Sequence, residues 1–233
     1  MGSRCIRMAK KKVIKKATKK SAKKSKLRES KIFEIPNYAQ TYEFTSSAAS
    51  AMMVLKYLNK KTKLDEMLES EIWNEAVNGS VMHGSRYGIA YALAKRGAKV
   101  QIISNAKNEG YEKKLAVYEG INLDTLSASF KEIKEKANKL KIKEQYGTTT
   151  VNLIKKQING GKIPIVLVNV SVLNPDRDVA PLPHWVVVKG YDKDSLYVND
   201  PFSDTTITIE PQVFKEALGF DKEYHMITVN SKK

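Results

Sequence analysis

Hydrophobic and polar positions fall into two regimes along the chain: helical periods dominate up to about residue 160, and short apolar runs follow. The first apolar stretch, "KIFEIPNY", alternates and predicts a short strand stopped by Pro36. In "SSAASAMMVLKYLN", Ala49, Met52, Met53, Lys56 and Tyr57 recur at helical spacing behind Ser and Thr residues, which predicts a buried helix with an N-cap. "LDEMLESEIWNEAV" reads as a second, amphipathic helix ending near Gly79, and "GSRYGIAYALAKRG" as a third with Gly97 as its C-cap. "AKVQIIS" then reads as a strand, "LDTLSASFKEIKEKANKL" as a helix with an exposed charged face, and "TTVNLIKKQIN" as a Thr-capped helix stopped by Gly160 and Gly161. Beyond that point "IPIVLVNV", "HWVVVKGY", "SLYVND" and "TTITI" read as strands, with "YDKDS" a hairpin turn between the second and third. "PQVFKEALG" is a short helix opened by Pro211, and "EYHMITV" closes the sheet. Helices first and strands second predict an α+β fold, N-terminal helices packed on a C-terminal antiparallel sheet, without internal repeats.

Composition changes this picture at one end only. The 233 residues, 42% hydrophobic, suffice for one substantial core. The formal charge of +16 is concentrated: residues 1 to 32 hold 14 of the 41 Lys and Arg but one of the 25 acidic residues. They carry +13, and the remaining body carries +3. We therefore divide the chain into a basic tail, 1–31, and one domain, 32–233. Lysine pairs about every four residues would stack like charges on a helix, so the tail is expected to be disordered when free. Such a run attaches to nucleic acid or another polyanion by releasing counterions, and without interleaved aromatic residues it reads no bases. A solubilising arm is the plainer reading.

No apolar h-region follows the lysines, so a secretory signal peptide is not expected, and no apolar run reaches the roughly 20 residues of a membrane span. The single cysteine, Cys5, lies in the tail and has no partner for an internal disulfide. A cytoplasmic protein is the default expectation.

Three histidines limit the candidate chemistry. His184 opens a strand after "PLP", where its side chain can face a cleft; His83 lies in a loop, and His225 inside the last strand. Asp200 follows the next strand, and a hairpin would return it beside His184, where a carboxylate holds an imidazole's tautomer and stabilises its cation. "NDP" is equally a turn sequence. A nucleophile would belong at a helix N-terminus, where the dipole favours negative charge, and Ser46 and Ser47 stand there. Gln40, six residues before Ser46, can offer its amide to an oxyanion. Ser46 reads just as well as a helix cap. Neither a Cys/His cluster with metal-ligand spacing nor a phosphate-binding glycine loop occurs, so no metal or cofactor is expected.

Gln40, "FTSSAASAMMVLKYL", "HGSRYGIAYALAKRG", "GGKIPIVLVNV" and "HWVVVKGYDKDSLYVNDP" together resemble the C39-like peptidases, papain-fold cysteine peptidases, in the stand-alone branch without transporter domains. The resemblance spans roughly residues 33 to 230. It implies a papain-like fold, with Gln40 as oxyanion donor, His184 as the catalytic histidine and Asp200 as its acid. The family's nucleophilic cysteine falls on Ser46, and Ser47 and Ala48 replace the Gly and Pro that follow it. Trp185, His83 and Arg86 become candidate substrate contacts in the cleft. The expected function is hydrolysis of peptide or amide bonds by a Ser46/His184/Asp200 triad. The alternative is a peptide-binding protein of the same fold that does not cut, held to a polyanion by its tail.

Overall fold

Residues 29–231 are described by the computed structural model, so Cys5 and the tail up to residue 28 lie outside the described residues. The chain enters through a two-residue strand, β1 (Lys31–Ile32), much shorter than the alternation of "KIFEIPNY" suggests. Helix α1 (Ser46–Leu58) follows, and every residue from Ser46 to Leu55 is buried. Small Ala and Ser side chains let neighbours close in on all sides, so α1 is a core helix with no solvent face over that length.

Helix α2 (Glu66–Val77) begins at Asp65, whose carboxylate accepts the Leu68 N–H, and α3 (Arg86–Lys95) begins at Ser85, whose hydroxyl accepts the Gly88 N–H. Both are side-chain caps of the usual kind. Gly88 is where the two helices meet: a Cβ there would lie 2.0 Å from the Ala76 carbonyl oxygen. After β2 (Val100–Ser104) come α4 (Tyr111–Tyr118), α5 (Leu123–Lys139), β3 (Lys143–Tyr146) and α6 (Val151–Asn159). The chain continues through β4 (Lys162–Asn169), the single turn α7 (Val170–Leu173), β5 (Pro183–Tyr191), β6 (Leu196–Asn199), β7 (Thr206–Ile209), α8 (Pro211–Ala217) and β8 (His225–Asn230).

The eight strands form one sheet in the order β3-β2-β8-β4-β5-β6-β7, with β1 added on β5. Two expectations are corrected here. The sheet is not wholly antiparallel, because β2 and β3 pair in parallel, joined by the α4–α5 crossover. Nor does β8 close the sheet at an edge; it inserts between β2 and β4, antiparallel to both. Its neighbours β4 and β5 are buried nearly end to end, as expected of continuous apolar runs in a sheet centre. α1 packs against β5, which puts the start of the helix beside the start of that strand. No helix among the described residues is long and apolar enough to cross a membrane.

Candidate active site

Three elements converge at one end of the sheet. The β5–β6 hairpin sets Val187 opposite Asn199, so His184 at the start of β5 and Asp200 just beyond β6 face each other. Their side chains meet, His184 Nε2 to Asp200 Oδ1, at 2.5 Å. The second Asp200 oxygen accepts the Asn174 amide at 3.0 Å, and the Phe202 N–H donates to the first at 2.9 Å. Burial pushes the Asp200 carboxyl up, but the hydrogen bond and charge of His184, with the Asn174 and Phe202 donors, hold it below the usual carboxylate range.

Ser46 is the first residue of α1 and is fully buried. Its Oγ accepts the backbone N–H of Trp185, the residue after His184, at 3.2 Å. Ser46 is thus not the N-cap. Thr45 holds that position, yet it makes no side-chain cap either. The Thr45 hydroxyl lies instead between the Tyr42 carbonyl and Glu69, 2.5 Å from Glu69 Oε1. The first turn of α1 therefore keeps its N–H donors and its partial positive charge without a capping oxygen.

Glu69 organises the approach to this helix. Buried on α2, its carboxylate accepts from Tyr38 Oη (2.9 Å), Thr41 N (2.9 Å), Thr41 Oγ1 (2.6 Å) and Thr45 Oγ1. That shapes residues 38–45 around Gln40. A second tie runs from the Gln40 N–H to the Pro201 carbonyl at 2.7 Å, next to Asp200. Asn199 anchors the same segment from below, its amide donating to the Ile35 and Pro36 carbonyls. The Gln40 amide donates to Tyr42 O at 2.7 Å, and its Oε1 is buried without a partner.

His83 is half-buried beside this end of α1. A Cβ on its neighbour Gly84, which has φ +73°, would come within 2.8 Å of the Ser47 hydroxyl. Burial and the nearby charge of His184 push His83 down to about 4, so it is neutral at pH 7.

The other two expected substrate contacts are corrected by burial. Trp185 is 0% exposed and its ring stacks on His225, with centroids 6.4 Å apart at 19°. Strand alternation explains this: if His184 faces the site, the next side chain faces the core. Arg86 is also 0% exposed. Its guanidinium lies over the Tyr87 and Phe130 rings, bonds the Ala106 and Asn108 carbonyls and pairs with Glu112 at 3.7 Å, so it ties α3 to α4 and α5. Glu69, Asn174 and Asn199 were missed. Only Asn199 had a sequence signal, as the residue before Asp200 in "NDP".

Among the described residues, no group of three or more His, Cys, Asp or Glu is placed to hold a metal ion. A seryl oxygen, an imidazole fixed by a carboxylate and free helix N–H groups are the parts of an acyl-transfer site.

Among curated proteins, none matches the chain. Of solved structures, it is similar to a putative C39-like peptidase from Bacillus anthracis at 15% identity and a TM-score of 0.47, over 87% of this chain and 98% of that one. It is also similar to xylellain, a cysteine protease from Xylella fastidiosa, at 8% identity and a TM-score of 0.49, over 89% and 88% of the two chains. The sequence model described as the Peptidase_C39 like family, DUF3335, matches residues 35–216, and the chain belongs to that family.

Proposed function

We propose that the chain is a hydrolase of peptide or amide bonds whose nucleophile is Ser46. The observation that carries this reading is the buried His184–Asp200 pair beside an uncapped helix N-terminus. With Nε2 committed to Asp200, Nδ1 is the nitrogen left to act as base. It takes the Ser46 proton as Oγ adds to the carbonyl carbon. The resulting oxyanion is met by the first-turn N–H groups of α1 and the second N–H of the Gln40 amide. Collapse breaks the C–N bond, and the leaving amine takes the proton from Nδ1. Water then adds to the acyl-serine with His184 again as base, releasing the acid and restoring Ser46.

A second reading, binding of a peptide without cleavage, is favoured by one observation: Ser46 is 0% exposed and its oxygen already accepts a backbone donor. Serine also lacks the thiolate that makes cysteine reactive without full deprotonation at the moment of attack. Intact-mass analysis after treatment with a fluorophosphonate separates the two. A single adduct that disappears in Ser46→Ala supports the hydrolase. Absence of an adduct, together with no gain of peptide hydrolysis in Ser46→Cys, leaves the binding reading.

The lysine-rich residues 1–31 add a proposed contact with nucleic acid or another polyanion. A shallow dependence of log affinity on log salt, unlike that of a many-phosphate contact, would refute it.

A further inference from the structure

Next to the Ser46 end of α1 opens a cavity of about 860 Å³. Ser46 and His184 do not themselves line it, but near neighbours of both do: Phe44 is two residues before Ser46, Leu182 two before His184, and His83 lies on the same wall. Phe44, Leu182, Leu115 and Phe220 give it apolar walls. At its rim Tyr118 is 86% and Met82 47% exposed, so large apolar surface stands open to solvent there.

Its charges do not cancel. Glu43 and Glu119 line the cavity and neither makes an ion pair among the described residues. Lys114, the lining cation, is taken by Asp221 at 2.6 Å. His83 contributes no charge at neutral pH. Glu119 is partly desolvated, which pushes its carboxyl up, and only the Met82 N–H at 3.1 Å offsets that burial. An electronegative, apolar-walled cleft thus sits in a chain of formal charge +16.

We infer that the cleft selects a cationic peptide segment, one that places a lysine or arginine against Glu43 and Glu119 and a large apolar side chain between Phe44 and Leu182. The inference rests on the reading of this end of α1 as a peptide site, but not on cleavage. An ammonium or guanidinium would supply the counter-charge that Glu119 lacks, while the neighbouring side chain covers the exposed apolar wall.

The test is fluorescence anisotropy with two labelled hexapeptides, identical except for Lys or Glu beside a central Leu. They are titrated with the full chain carrying Ser46→Ala, with and without Glu43→Gln and Glu119→Gln. Gln at 119 keeps an oxygen for the Met82 N–H, so the wall is preserved. The Lys peptide is expected to bind about tenfold more tightly than the Glu peptide, and the double substitution to weaken the Lys peptide about three- to tenfold while narrowing the gap. Both proteins share residues 1–31, so the tail, which favours the Glu peptide, cancels from the change that the double substitution makes in the gap, and that change is the deciding readout. A gap untouched by the double substitution, a double substitution that does not weaken the Lys peptide, or no saturable binding of the Lys peptide would overturn the inference. Because binding is read in a protein unable to use Ser46, a failed hydrolase reading leaves this result intact.

Discussion

Two sets of serine, histidine and carboxylate stand out among the described residues, and by distance alone Ser104, His225 and Glu223 are closer to a triad than Ser46, His184 and Asp200. Ser104 Oγ lies 3.0 Å from His225 Nδ1, and His225 Nε2 lies 3.1 Å from Glu223 Oε2. Ser46, by comparison, is hydrogen-bonded to a backbone N–H rather than to the histidine ring. Yet Ser104 ends a strand, its hydroxyl is also bonded to the Ala106 N–H and carbonyl at 3.0 Å each, and His225 is fully buried between Tyr111 and Trp185. Every group there has a partner, which suits a structural cross-link between β2 and β8. The Ser46 set has unspent donors at a helix start, and residues two before Ser46 and two before His184 line a cavity. A completed network holds a fold, whereas chemistry needs groups with capacity left over.

The largest test of this contrast removes one carboxylate from each set. Asp200→Asn is expected to lower kcat/KM on an amide substrate about 10⁴-fold, the loss typical when a triad histidine has the wrong tautomer, while Glu223→Gln changes it less than twofold. Next, His225→Ala should cost about 2–4 kcal/mol in denaturant unfolding, because it leaves a cavity beside Trp185 and removes the ring that ties Ser104 to β8, yet fluorophosphonate labelling per folded molecule should hold. Glu69→Gln is expected to cost about 1–3 kcal/mol in the same assay, since one of its acceptor oxygens becomes a donor facing donors. Unlike His225→Ala, it should also slow turnover, by loosening residues 38–45.

The smallest effect is in pH. His83 titrates at about 4 folded against 6.5 as its ordinary value, so between these values the unfolded chain holds more protons. Stability should rise with pH from 4 to 6.5 and fall by roughly 1–3 kcal/mol on acidification through that window. His83→Gln should flatten that slope. It should leave the separate loss at lower pH, where the depressed Asp200 carboxyl stabilises the fold above its ordinary 3.8 and ceases to do so as pH falls through its folded value. Urea midpoints measured from about pH 2 to 7.5 read both windows.

The periodic helices and continuous apolar strands were legible because burial of one face dictates their residue spacing. β3 was not: its four residues, Lys143–Tyr146, are all exposed, so no alternation marks them. α4 escaped because its charged and aromatic residues obscure a short apolar face. The His184–Asp200 juxtaposition was readable from a hairpin and its register. The Glu69 anchor was not, since a buried glutamate on α2 looks in sequence like any other glutamate of an amphipathic helix, and only folding brings the Tyr38, Thr41 and Thr45 donors to it. Trp185 shows the opposite failure, in which a residue adjacent to a site was taken for part of it although the pleat turns it away.

The place of β8 bears on how the molecule is made. Val229 pairs with Val100, across almost 130 residues, and with Ile163 on its other side. Until residues 225–230 leave the ribosome, β2–β3 and β4–β7 are two half-sheets, each with a bare inner edge of apolar strand. Such long-range pairing slows folding and leaves nascent chains prone to sticking to one another. A vulnerable interval therefore separates the emergence of β7 from that of β8, the wedge that joins the halves.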